Sequence, residues 1–509
     1  MPYFTFRQAI IFGLIFASAA LIGYDSGYLN GVIASEDFNR RYGPIGADGK
    51  HFLLPLTRSL FTSMLIVGTV FGCLLPSFVQ NRIGRKGCLL VAGLIYALGV
   101  ALQTAGVPAA GFIVGRVFLG VGLGIISVTS PGYLIEASSS KSRGRLIALY
   151  TQLLTSGNVV ACAISLGTAD MSGSMSWRLT IAFQLVLALF VFLGACYAPE
   201  SPSILVRQGK HERAHSSICA LRDIQPGSSD LLAAIEEIQK WIDEQEIAGK
   251  VHPLECFQGT NRRRTLLGIT MSFMTIATGV TFWFGYGTTF FQSAGVDNAF
   301  LVSLILAVVN CIFTTLSLYL TNKLGRRNML HGGAGVMIGA YLLVGVTHSV
   351  APNSTASNNL LIAGAVLFIA AYAATWGTLG WTIMTEPYSS RLRTQSTSIT
   401  MVTYWTATWG VGFATPYLVD ETAADLGVNI VYLWLGMVIL SLVWAYFCVP
   451  ELSGLSIREV DLLFEQRVSA WKSKEWARQL RDRTVIEGTD PSGGTDTLDM
   501  KSMDFEQKV

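Results

Sequence analysis

The chain has 509 residues, of which 51% are hydrophobic and 14% charged, with a mean hydropathy of +0.47. A water-soluble surface of ordinary size could not hold that composition, so the solvent must be lipid. The net charge of +3 is too small to point to nucleic acid, and a transmembrane barrel is excluded because no period-two alternation over segments of about 10 residues is present.

A bilayer core takes about 20 apolar residues per helix, and the chain offers such stretches in series. The first predicted span, 8–33, runs past signal-peptide length, lacks a small-residue cleavage site and reads as a signal anchor with Asp25 inside it. Spans 56–79 and 87–105 flank the basic turn NRIGRK at Asn81. The fourth, 110–134, holds Arg116 and the series Gly115, Gly120, Gly122 and Gly124. These glycines suit close helix packing: no strand precedes them and no GxxxxGK cradle follows, which also speaks against an ATP-driven pump. Spans 146–168, which contains Gln152, and 178–198 complete a first set. Residues 200–264 switch to a soluble composition, where LLAAIEEIQKWIDEQ from Leu231 predicts an amphipathic helix. A second set follows at 265–291, 300–321, 329–349, 360–385, 396–419 and 429–449. Beyond Pro450 comes a further helical stretch, then a Gly/Ser/Thr/Asp-rich end from Gly488 that is expected to be disordered.

Charge placement orients the spans, because cytoplasmic loops carry an excess of Lys and Arg. Positives cluster in alternate loops: Arg82/Arg85/Lys86, Lys141/Arg143/Arg145, Arg207 to Arg264, Lys323/Arg326/Arg327 and Arg391/Arg393. Both termini are therefore expected in the cytoplasm. The first outer loop, with Arg40, Arg41, Lys50 and Arg58, departs from the rule. Asn353-Ser354-Thr355 is a glycosylation sequon in a loop that the charges place outside. Cysteines and histidines form no metal spacing, and disulfides are not expected.

Three marks occur twice in the same order. NRIGRK at Asn81 recurs as NKLGRR at Asn322; Glu136 with Arg143 and Arg145 recurs as Glu386 with Arg391 and Arg393; PES at Pro199 recurs as PEL at Pro450. A near-constant offset with both copies on one side requires an even number of spans between them, hence two parallel repeats. The predicted fold is an all-α membrane protein of twelve helices in two six-helix bundles, 1–199 and 265–449, with a cytoplasmic linker at 200–264 and a cytoplasmic tail at 450–509. Asp25 and Arg116 lie inside spans, where a charge costs about 2.5–3.5 kcal/mol even on a lenient scale. Mutual pairing would offset that cost, and protonation of Asp25 would release Arg116, linking proton uptake to reorientation.

These motifs, with GYDSGYLNGV at Gly23, GRVFLGVGLG at Gly115, PGYLIEASSSKSRGRL at Pro131, PESP at Pro199, GYGTTFFQSAG at Gly285, EPYSSRLR at Glu386 and PELSG at Pro450, resemble the sugar porter branch of the major facilitator superfamily, especially its fungal members. The resemblance covers nearly the whole chain. It implies an alternating-access carrier with one solute site between the halves, working as a monomer in the plasma membrane without a cofactor. It also implies a cytoplasmic latch of Arg85, Glu136, Arg143, Arg326, Glu386 and Arg391 in which Glu200 and Glu451 take part. Exposed pairs contribute about 0–1 kcal/mol each, but a network can bias a two-state equilibrium. Both proton-coupled and facilitative relatives keep an aspartate at the place of Asp25, so symport and uniport stay open.

The resemblance further assigns solute contacts to Gln152, Trp381 and Trp405, and to positions where this chain departs from its relatives. Thr275, Ile276 and Thr281 stand where sugar porters carry two glutamines and an asparagine, and Thr408 follows Trp405 where an asparagine is usual. A threonine offers one hydroxyl and isoleucine none, and each unpaired solute hydroxyl costs about 1–3 kcal/mol. Tyr404, Trp283, Tyr286 or Asn158 could compensate, and Trp376 could also face a ring. A sugar is expected first, with a quinate-like acid or a secondary metabolite as alternatives. A nutrient sensor on the same fold is a further alternative, and a membrane-embedded enzyme is disfavoured for want of a catalytic constellation. Asn81 and Asn322 replace the aspartates usual in the basic turns, which makes for a weaker or differently balanced latch.

Overall fold

The computed structural model describes residues 6–46, 49, 51–138, 140–247, 253–296, 298–350, 354–384, 386–389, 392–420, 423–453, 455 and 457–486. The first bundle comprises α1 (Phe6–Ala34), the short α2 (Glu36–Tyr42), α3 (Pro55–Thr104), α4 (Ala109–Ala137), α5 (Ser140–Thr168) and α6 (Met175–Tyr197). The linker folds as α7 (Pro202–Arg207), α8 (His211–Arg222) and α9 (Ser229–Ile247). The second bundle is α10 (Gly259–Ala277), α11 (Val280–Ser293), α12 (Ala299–Leu324), α13 (Arg326–Val350), α14 (Thr355–Tyr372), α15 (Thr378–Ile383), α16 (Arg393–Val419) and α17 (Ile430–Cys448), followed by α18 (Ile457–Glu465) and α19 (Ser473–Ile486). Among the described residues the only extended pairing is an isolated bridge between Ile45 and His51.

Among the described residues, eleven helical segments are long and apolar enough to cross a membrane, and their limits follow the predicted spans within about six residues. The remaining predicted span, 396–419, is present as α16 but is too rich in Thr and Ser to meet that standard. A helix that lines an aqueous path between two bundles has less need to be apolar. Large apolar side chains stand exposed along the lipid-facing sides, with Phe78 at 77% and Phe71 at 62% exposure. In water such surface would drive association.

Each bundle has its own core. Tyr24, Tyr28, Tyr96, Leu119 and Trp177 belong to one buried cluster, whereas Trp283, Tyr341, Phe368, Trp376 and Val438 belong to another. The glycines of α4 do pack helices closely: a Cβ at Gly120 or Gly124 would strike the α3 carbonyls of Leu65 or Thr69. Gly279 is the other decisive glycine. At φ 90° it breaks the predicted span 265–291 into α10 and α11, and a Cβ there would lie 2.6 Å from the Tyr341 hydroxyl. The predicted amphipathic helix is α9, which buries Leu231, Ala234, Ile238 and Ile242 against Leu205, Val206 and Ile218. The stretch beyond Pro450 forms α18 and α19, while the segment expected to be disordered, from Gly488, lies outside the described residues.

Candidate functional site

The duplicated motifs build two matching charge clusters on the basic face, where the Arg- and Lys-rich turns sit. In the first bundle, Gly84 at φ 77° interrupts α3 and restarts it at Arg85. Glu200 Oε1 accepts from the freed backbone N–H of Arg85 at 2.8 Å and from that of Ser201, at the start of α7, at 2.9 Å, as expected of a carboxylate at a helix start. The Arg85 guanidinium then forks onto Glu136, with Nε–Oε2 at 2.7 Å and Nη2–Oε1 at 2.6 Å. In the second bundle Gly325 also lies at φ 77°, and Glu451 accepts from the N–H groups of Arg326 and Arg327 at 3.1 and 3.0 Å. Arg326 Nη2 donates to Glu386 Oε1 at 2.6 Å. A Cβ at either glycine would press on the neighbouring glutamate.

Six of the eight predicted latch residues are thus brought together, as two clusters rather than one network, because every one of these contacts joins residues of a single bundle. The side chain of Arg143, the whole of Arg391 and the sequon Asn353 lie outside the described residues. Near Glu386, Tyr388 bonds Thr400, and burial pushes its hydroxyl up to about 12, so it stays neutral at working pH.

On the opposite face, contacts cross between the bundles. Arg58 Nη1 donates to Asp420 Oδ1 at 2.7 Å and to the Tyr286 hydroxyl at 2.7 Å, and Tyr286 itself donates to Asp420. The side chains of Arg58 and Asp420 are only 8% and 14% exposed. Beside them Ser59 donates to the Phe413 carbonyl at 2.8 Å, and the Thr288 N–H donates to Asn30 Oδ1 at 3.2 Å. This seal was missed in the sequence. Its signal was the group of basic residues in the first outer loop, including Arg58.

Asp25 and Arg116 meet inside the first bundle, both 2% exposed at the side chain, with Nη1–Oδ1 at 3.7 Å. That is an ion pair without a hydrogen bond. Arg116 donates instead to the Phe61 carbonyl at 2.8 Å and the Tyr28 hydroxyl at 2.6 Å, and Tyr28 passes the chain on to Gln103 at 2.9 Å. Asp25 Oδ1 is buried and accepts no hydrogen bond.

The predicted solute residues divide. Trp381, 44% exposed within a spanning segment, lies tilted at 48° against Tyr404 with ring centroids 4.8 Å apart, and Tyr404 meets Trp405 edge-on at 5.6 Å. Trp381 follows a π-helical turn, Ala373–Gly377, that rotates α15 against α14. Thr408, one turn beyond Tyr404, spends its hydroxyl on the Tyr404 carbonyl. Gln152 joins the two bundles: its Nε2 reaches the Cys311 sulfur at 2.9 Å, and Thr315 donates to its Oε1 at 2.7 Å. Thr281 faces Gly412 of α16. Thr275 and Ile276 are each 1% exposed, and the Thr275 hydroxyl bonds the Met271 carbonyl. Of the compensating groups, Tyr404 is in the aromatic cluster and Tyr286 in the seal. Trp283, Trp376 and Asn158 are buried, with Trp376 bonded to the Leu330 carbonyl.

Helical bundles duplicated in parallel, a broken seventh span and paired charge clusters define a major facilitator fold. The solved xylose transporter XylE of E. coli, in a partially occluded inward open conformation, has that fold, with a TM-score of 0.73 at 21% identity over 89% of this chain and all of that one. The chain belongs to the sugar (and other) transporter family, whose model matches residues 10–464. It is 31% identical to the high glucose sensor RGT2 of Saccharomyces cerevisiae over 95% of this chain, spanning 64% of the sensor's length. It is 30% identical to the low-affinity glucose transporter HXT1 of the same yeast, over 90% of this chain and 81% of that transporter.

Proposed function

We propose that the chain is an alternating-access carrier of a small polar solute, a sugar first, in the plasma membrane, with its basic face and both termini in the cytoplasm. The bundles 1–199 and 265–449 would rock about the Trp381–Tyr404–Trp405 cluster, carrying the linker 200–264 and the tail 450–509 on the inner side. The observation that carries this reading is the asymmetry of the contacts. Bonds cross between the bundles on the outer face, whereas the charge clusters of the basic face hold within each bundle, as an inward-facing carrier requires. Aromatic faces suit the apolar faces of a sugar ring, and Gln152 would exchange its bonds to α12 for solute hydroxyls.

Asp25 and Arg116 would couple transport to protons. Because Arg116 has two further acceptors, neutralising Asp25 would loosen the pair without setting the arginine adrift, and Tyr28 and Phe61 would feel the change. Family resemblance supports sugar over a quinate-like acid, although the hydroxyls of Thr275 and Thr408 are spent on their own helices. A sensor is the second reading, favoured by the identity with a glucose sensor. Uptake in a transporter-deficient yeast against hexoses, pentoses, disaccharides and quinate tests the assignment. Saturable uptake of one sugar class is expected. Uptake of quinate alone would replace the solute, and none at all despite surface expression would turn the reading to the sensor.

A further inference from the structure

We propose that a groove between α10, α17 and the end of α18, on the basic face, binds the phosphate headgroup of an anionic phospholipid. The groove has a volume of about 510 Å³. Its polar end is made by Arg262, Arg263 and Arg467, and its apolar end by Leu266, Trp444 and Phe447, with no Asp or Glu in the lining among the described residues. Three cations gathered without a carboxylate repel one another, and an anion between them would remove that cost.

The arginines are free to serve. Arg262 and Arg467 are exposed and donate to no protein acceptor among the described residues. Arg263 gives one Nη to the Val468 carbonyl at 2.7 Å and lies over the Phe464 ring. The neighbouring Asp461 is already taken by Arg264, which fixes α18 against the start of α10. Guanidinium forks match phosphate oxygens in pairs, and basic pockets between spanning helices receive lipid headgroups.

The shape selects a lipid over free phosphate. Leu266 lies one helical turn below Arg262, so charge gives way to apolar surface along the direction in which acyl chains run. Leu266 and Phe447 are 41% and 55% exposed there, on helices that span the membrane. The inference is independent of the solute and of whether transport is proton-coupled.

The test is native mass spectrometry of the full chain taken from nanodiscs of phosphatidylcholine mixed with phosphatidylserine. The wild type is expected to retain phosphatidylserine selectively. The variant Arg262→Gln/Arg467→Gln, which breaks no hydrogen bond among the described residues, should lose that retention by about fivefold for each arginine. A charge-matched control, Arg82→Gln/Arg213→Gln, removes exposed cations elsewhere on the chain and should keep it. Equal loss in both variants, or no loss in the first, overturns the site. So does displacement of the lipid by inorganic phosphate at low concentration, which would make this an ion site without a lipid.

Discussion

Replacing Arg58 with alanine is expected to open the face of the bundle opposite the basic turns. Arg58 and Asp420 are both largely buried, and they belong to different bundles. Removing one member of a buried pair leaves the other charge uncompensated, at a cost of about 3–5 kcal/mol. Tyr286 still donates to Asp420, so the lower figure applies. A loss of about 3 kcal/mol from the outward-closed state alone shifts the ratio of the two states roughly 150-fold. Distances between spin labels at the outer ends of α3 and α16 measure this directly. The distribution should move to longer separations in Arg58→Ala and return in the swapped pair Arg58→Asp/Asp420→Arg. An unmoved distribution in the single variant would mean that the pair does not hold the seal.

The second large effect concerns Asp25. Under the proposed coupling, Asp25→Asn abolishes accumulation against a gradient while exchange of solute across the membrane survives. The fold should tolerate the change, because Arg116 remains bonded to the Phe61 carbonyl and the Tyr28 hydroxyl. Asparagine mimics the protonated acid in shape and cannot release a proton, so it separates the carrier function from its driving force. Parallel measurements of accumulation and exchange in vesicles decide the matter. Accumulation that persists in Asp25→Asn would make the pair structural and place the coupling elsewhere, whereas a wild type that never accumulates solute would make the carrier a uniporter.

The spans were legible because length and hydropathy are local properties, and the same holds for the amphipathic α9. The members of the charge clusters were legible because Arg85, Glu136 and Glu200 recur as Arg326, Glu386 and Glu451 in duplicated motifs. That they form two clusters was not legible, since a motif names its members without saying which partner each one keeps in a given conformation. The seal was hidden for a different reason. Arg58 and Asp420 lie 362 residues apart, Arg58 in the first turn of α3 and Asp420 just past the end of α16, and Arg58 registered only as an exception to the charge rule. The break at Gly279 was concealed by continuous hydropathy through 265–291. Among the proposed solute residues, Trp381 and Trp405 both join Tyr404 in one aromatic cluster, but Thr275 is buried against Gly380 of α15, a contact that no single-chain pattern records.

The most direct test of the account is solute counterflow in proteoliposomes holding only the purified chain. Vesicles preloaded with unlabelled sugar should draw in labelled sugar transiently and saturably, with the flux lost when the outer ends of α3 and α16 are tethered. Absence of counterflow for every solute that the folded, inserted protein binds would contradict a carrier mechanism and leave the fold as a receptor.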